Sequence, residues 1–76
     1  MPHIILKMHS GRSAEQKAAA AEALTQALVS SLGSTLDSIS VAVEEVAPAE
    51  WREKVVDVDI APHFATLAKK PGYAVG

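Results

Sequence analysis

The stretch SAEQKAAAAEALTQALVSSLG, Ser13 to Gly33, decides the fold, because it reads as one complete helix with both ends marked. Ser13 followed three residues later by Gln16 is a capping box: the hydroxyl accepts from a first-turn amide while the glutamine side chain reaches back to the cap amide. The body from Ala14 to Leu32 is rich in strong helix formers. Ala20, Leu24, Ala27, Leu28 and Leu32 recur along one face at three- and four-residue spacing. Gly33 supplies the stop.

On either side lie strands. Upstream, in Met1 to Met8 (MPHIILKM), Ile4, Leu6 and Met8 fall on one face of an extended chain and Ile5 on the other. Gly11, in the segment from His9 to Arg12, lets the backbone leave that strand. Downstream, Ser34 to Asp37 reads as a turn, and Ile39, Val41 and Val43 then alternate with Ser40, Ala42 and Glu44. A strand, a long helix and a second strand have the spacing of a β-α-β unit with parallel strands and a right-handed crossover. Two strands alone do not hold a sheet. The expected architecture is therefore α/β in two layers, with a second chain completing a four-stranded sheet under two helices.

In the last third, Pro48 can open a short helical turn, and Trp51 and Val55 share a face at four-residue spacing. Val55 to Ile60 is β-branched enough to pass as a strand. The preferred reading is a helix from Ile60 to Lys69 capped by Asp59, with Pro62 in its first turn, Phe64, Leu67 and Ala68 inward, and Lys69 and Lys70 at its negative end before Pro71-Gly72. Residues 1–76 then form a single domain, with the β-α-β unit in 1–46 and a helical segment and tail in 47–76.

Composition narrows the function. A chain of 76 residues holds one small core, and cores of this size usually need a disulfide, a metal or a partner subunit. There is no cysteine, and His3, His9 and His63 are scattered rather than spaced as ligands, so neither a disulfide nor a metal site is expected. Self-association remains. The net charge of -2 without a basic stripe argues against a nucleic-acid partner, and the apolar runs are too short for a membrane span or signal peptide. A soluble cytoplasmic protein is expected.

Chemistry starts at Pro2. If Met1 is trimmed, the Pro2 nitrogen changes from a tertiary amide to a secondary amine. An α-amino group titrates near ~7.7 to 8.0, and apolar surroundings or a nearby cation lower that value, which suits a proton shuttle at cellular pH. From these two residues alone the plain alternative, a proline that merely begins a strand, is the stronger reading.

Pro2, Gly11-Arg12-Ser13 with Glu15-Gln16-Lys17, the strand Ser38-Ile39-Ser40-Val41, and Glu44-Glu45-Val46-Ala47-Pro48 leading to Trp51 together resemble the 4-oxalocrotonate tautomerase family. Beyond Trp51, Asp59-Ile60-Ala61-Pro62 and Lys69-Lys70-Pro71-Gly72-Tyr73 resemble its longer bacterial branch, whose members are dimeric tautomerases. The resemblance implies a cofactor-independent enzyme whose amino-terminal proline, here Pro2, moves a proton between oxygen and carbon of a small enol or dienol 2-oxo acid. Arg12 matches the carboxylate-binding arginine and Trp51 the aromatic pocket wall. Ser40 stands where the best-known members carry a second arginine, which points away from their dicarboxylate and toward a substrate with one carboxylate, such as a phenylpyruvate-like enol. Ser40 is then a candidate hydrogen-bonding residue. Arg52 could substitute for the missing arginine only if it points inward.

Other residues read more plainly. His3 is a strand residue on the face away from Ile4, His63 is solvated, and Glu44 and Glu45 point to opposite faces. A homodimer is expected rather than a hexamer, because the residues after Trp51 must occupy surface that larger assemblies use. Two alternatives stand beside the tautomerase: a Pro2-dependent hydratase or dehalogenase, and a non-catalytic oligomerising β-α-β module.

Overall fold

The structure, a computed structural model, describes residues 1–76. Strand β1 (His3–His9) runs into helix α1 (Ala14–Leu32), and strand β2 (Ser40–Val46) returns parallel to β1 in a two-stranded sheet. The capping box forms in full, with the Gln16 amide donating to Ser13 Oγ at 3.1 Å and the Ser13 amide donating to Gln16 Oε1 at 3.0 Å. Gly33 ends α1 in the left-handed region, at φ 68°, where a side chain would be strained. A short 3₁₀ turn, Leu36–Ser38, delivers the chain to β2, which begins at Ser40 rather than Ile39.

The register pairs Ile4 with Val41, Leu6 with Val43 and Met8 with Glu45 on one face; His3 with Ser40, Ile5 with Ala42, Lys7 with Glu44 and His9 with Val46 occupy the other. The first face meets α1, where Lys17 Nζ pairs with Glu45 Oε1 at 2.7 Å. The expected helix stripe is corrected at two positions. Ala20, Leu24 and Leu28 are half-buried as expected, joined by Ala21, Thr25 and Val29, whereas Ala27 is exposed and Leu32 is 66% exposed. Length explains Leu32: nineteen helical residues span about 28 Å and seven strand residues about 23 Å, so the last turn overhangs the sheet.

The second face is partly covered by the C-terminal segment of the same chain. A 3₁₀ turn opened by Pro48 leads into a π-helix, Arg52–Ile60, and then a 3₁₀ segment, Ala61–Thr66. This corrects the expected helix from Ile60 to Lys69. Asp59 is not its cap; its carboxylate accepts from Lys7 Nζ on β1 at 2.6 Å. The helical path stops before Leu67, so Lys69 and Lys70 do not neutralise a helix end, and Lys70 lies over the Phe64 ring at 5.5 Å from its centroid. Phe64 and Leu67 are half-buried as expected, but Ala68 is exposed. Four β-branched residues among Val55, Val56, Asp57, Val58, Asp59 and Ile60 crowd the preceding turn of an α-helix. The wider winding, in which the Ala61 amide donates to the Val56 carbonyl, relieves that crowding and turns both Val55 and Val56 inward.

Val55 and Val56 are the two fully buried residues of the chain, at 4% and 2% exposure. Val56→Ala is therefore expected to cost about 2 kcal/mol from lost burial and the cavity left behind. In a domain this small that lowers Tm by about 10 °C. A thermal melt showing a drop of only about 2 °C would mean that the C-terminal segment unfolds apart from the sheet. No helix is long and apolar enough to cross a membrane.

Candidate active site

Pro2 sits just before β1 and is half-buried, while Met1 before it is fully exposed. The Pro2 carbonyl accepts from the Ser40 amide at 3.2 Å, which ties the start of β1 to the start of β2. One residue on, His3 Nδ1 and Ser40 Oγ are 2.7 Å apart. Pro2, His3 and Ser40 thus form one cluster at the leading end of the sheet.

Arg12 and Trp51 belong to the trailing end. The Ser10 amide donates to the Val46 carbonyl at 3.1 Å, Gly11 turns the chain at φ 116°, and Arg12 is exposed just ahead of the cap of α1. That placement adds the partial positive charge of the first helical amides to the guanidinium. The Trp51 ring packs edge-on against His9, centroids 4.8 Å apart, and its Nε1–H donates to the Tyr73 hydroxyl at 3.3 Å. Arg52 points along the tail, donating from Nη1 to the Val75 carbonyl at 3.5 Å, so it does not stand in for the missing arginine. Tyr73 carried no sequence signal for this role, since only the path of the tail, which bends at 68–69 and 72–73, brings it to Trp51.

Glu45 steadies this end. Its carboxyl is held below the usual carboxylate range, first by the hydrogen bond from Lys17 and then by the Lys17 charge, with a smaller contribution from the Gly11 amide. A depressed folded-state pKa contributes stability that is present above the unfolded pKa and is lost as pH falls through the folded value. The stability advantage of the native protein over Glu45→Gln is therefore expected to shrink on acidification from about pH 5 to about pH 3. Urea denaturation of both proteins across that range checks it; an advantage that stays constant with pH would remove the pair as its source.

The four expected site residues thus fall into two groups, Pro2 with Ser40 and Arg12 with Trp51. Seven residue steps separate Pro2 from His9, about 23 Å of strand. The two residues past Ser10 cannot return Arg12 to Pro2, and within one chain the two groups cannot grip the same small acid. An open cavity of about 340 Å³ lies between them, against Ile5, Lys7, Val55 and Asp59. It contains none of the four, and its polar lining is the Lys7–Asp59 ion pair, which raises the Lys7 pKa chiefly through the hydrogen bond to Asp59. The sequence did not single out the His3–Ser40 contact. It depends on strand register, which alternation alone does not set.

Comparison with known proteins agrees with this fold. Residues 2–56 match the sequence model of the Tautomerase family, described as tautomerase enzyme. The chain is 49% identical over 76 residues to Tautomerase PptA of Pectobacterium atrosepticum, covering 97% of this chain and 99% of that protein. It is 41% identical to Tautomerase PptA of Escherichia coli, covering 99% and 100%. Among solved structures, TomN, a 4-oxalocrotonate tautomerase homologue in the tomaymycin biosynthetic pathway, superposes with a TM-score of 0.65 at 35% identity over 86% of this chain and 97% of its own. YwhB, another homologue of 4-oxalocrotonate tautomerase, superposes with a TM-score of 0.59 at 35% identity over 60% and 75%. With the β-α-β fold and near full-length identity to enzymes of one kind, this chain belongs to the tautomerase family.

Proposed function

We propose that this enzyme interconverts the enol and keto forms of a small 2-oxo acid, with the Pro2 amine, freed by loss of Met1, acting first as base and then as acid. The observation that supports the reading is the family match over residues 2–56, a span that contains Pro2, Arg12, Ser40 and Trp51. Full exposure of Met1 favours its removal. The neutral amine takes the proton from the enol hydroxyl, and the ammonium returns it to the neighbouring carbon as the carbonyl forms. One nitrogen that alternates between neutral and charged suffices, and no cofactor is needed. Arg12 binds the substrate carboxylate through two parallel hydrogen bonds, and Trp51 packs on the conjugated carbons while excluding water from the amine. With Ser40 in place of a second arginine, the substrate class is a monocarboxylate such as an aryl enol acid.

The distance between Pro2 and Arg12 calls for two copies of the chain. The outer edge of β1 has no partner strand, and an antiparallel β1 from a second copy would bring the partner's Arg12 beside Pro2. Pairing through β2 instead would leave Pro2 roughly 10 Å farther away, two strand spacings. Because the C-terminal segment already lies on the face opposite α1, that face is not free for stacking into a larger ring, which favours a homodimer. The shallow core, with two fully buried residues, also favours one. The absence of cysteine suits the cytoplasm.

The test is the intact mass of untagged protein, with ketonisation of enol phenylpyruvate and sedimentation on the same sample. The expected result is a chain lacking Met1, turnover without added cofactor, and the mass of two chains. Retained Met1 in an active sample would defeat the amine mechanism, and an active monomer would defeat the shared site.

A further inference from the structure

Resting on the reading of Pro2 as the proton carrier, we propose that His3, oriented by Ser40, donates the hydrogen bond that stabilises the enolate oxygen of the substrate, the task left open by the absent second-strand arginine. Three observations carry this. The parallel register sets His3 directly opposite Ser40 on one face, and the two side chains meet at 2.7 Å. The Ser40 amide bonds the Pro2 carbonyl at 3.2 Å, so the peptide joining Pro2 to His3 is fixed to β2, and His3 is the residue next to the reactive nitrogen in the chain. His3 also shares its face with His9, against which Trp51 packs. An antiparallel β1 pair related by a twofold axis perpendicular to the sheet keeps equivalent faces on one side. His3 then opens toward the same space as the partner's Trp51.

The chemistry follows from the ring. With the Ser40 hydroxyl donating to Nδ1, the neutral imidazole carries its proton on Nε2, which has no partner within the chain and is free to donate. As Pro2 takes the enol proton, negative charge builds on the substrate oxygen, and a donor already aimed there costs no reorganisation. The His3 proton stays on Nε2 throughout, and the only proton transferred travels from oxygen to Pro2 to carbon. The neighbouring pair on this face, Ile5 and Ala42, is uncharged; the nearest charged side chains along it are Lys7, paired with Asp59, and Glu44.

The test combines kinetics with a direct view of the ring. Steady-state ketonisation by His3→Ala, His3→Gln, Ser40→Ala, Ser40→Thr and Pro2→Ala is compared with the native enzyme, and long-range proton–nitrogen spectra of labelled protein report the His3 tautomer. His3→Ala is expected to lower kcat about a hundredfold with little change in KM, as loss of one oxyanion donor does. His3→Gln, which keeps a donor of similar reach, recovers about tenfold of that loss, and Ser40→Thr, which keeps the hydroxyl, outperforms Ser40→Ala. The spectra should show the Nε2–H form in the native protein and a weaker preference in Ser40→Ala. An Nδ1–H tautomer, or native kcat in His3→Ala while Pro2→Ala is inactive, overturns the role of His3 and leaves Pro2 intact. Native activity in Pro2→Ala overturns the underlying mechanism instead.

Discussion

Pro2→Ala is expected to lower kcat/KM for ketonisation by about a hundred- to ten-thousand-fold, the range that a positioned general acid/base contributes. The substitution keeps an α-amine at the terminus, so the loss would measure what the ring adds. In proline the nitrogen is tethered to its own side chain, and the Pro2 carbonyl is anchored to the Ser40 amide. An alanine terminus has a primary amine that rotates freely, so it spends less time aimed at the substrate. Folding should be nearly unchanged, because the anchoring carbonyl remains and Pro2 is only half-buried. Steady-state kinetics beside a thermal melt check this. A folded Pro2→Ala within threefold of native activity would remove Pro2 as the proton carrier.

The second large effect is a recovery. Arg12→Ala should weaken kcat/KM about tenfold to a hundredfold, since a charge-assisted, two-point grip on the carboxylate is lost. Mixing it with Pro2→Ala, after unfolding and refolding the two together, should restore about a quarter of native activity: random pairing makes half the dimers mixed, and each mixed dimer holds one site with both functional residues. A site confined to one chain predicts no recovery, because every chain in the mixture lacks one of the two groups. Activity of the refolded mixture no greater than that of the separately refolded variants would therefore refute the shared site, with refolded native protein as the control.

These expectations draw on different layers of information. The ends of α1 were legible because capping is local: Ser13 and Gln16 are three residues apart, and Gly33 needs only its own backbone freedom. The strands were legible through alternation, and their parallel pairing through the length of the helix between them. After Trp51 local rules conflicted, because Val55 to Ile60 suits a strand by its β-branching and Asp59 suits a helix cap. Tertiary packing chose neither, turning Val55 and Val56 inward in a widened helix and directing Asp59 to Lys7 across the sheet.

The chemistry of the candidate site divides in the same way. By itself the sequence determined which residue types could act, namely Met1 before Pro2, an arginine ahead of a helix and a single tryptophan, while the family resemblance marked Ser40 as the place of an expected arginine. Residue identity and short spacing are one-dimensional properties. Only the tertiary structure decided that Pro2 and Ser40 lie at one end of the sheet and Arg12 and Trp51 at the other, and that His3 bonds to Ser40. The reason is geometric: an extended strand carries its two ends about 23 Å apart, while parallel register brings residues 37 positions apart in the chain into contact.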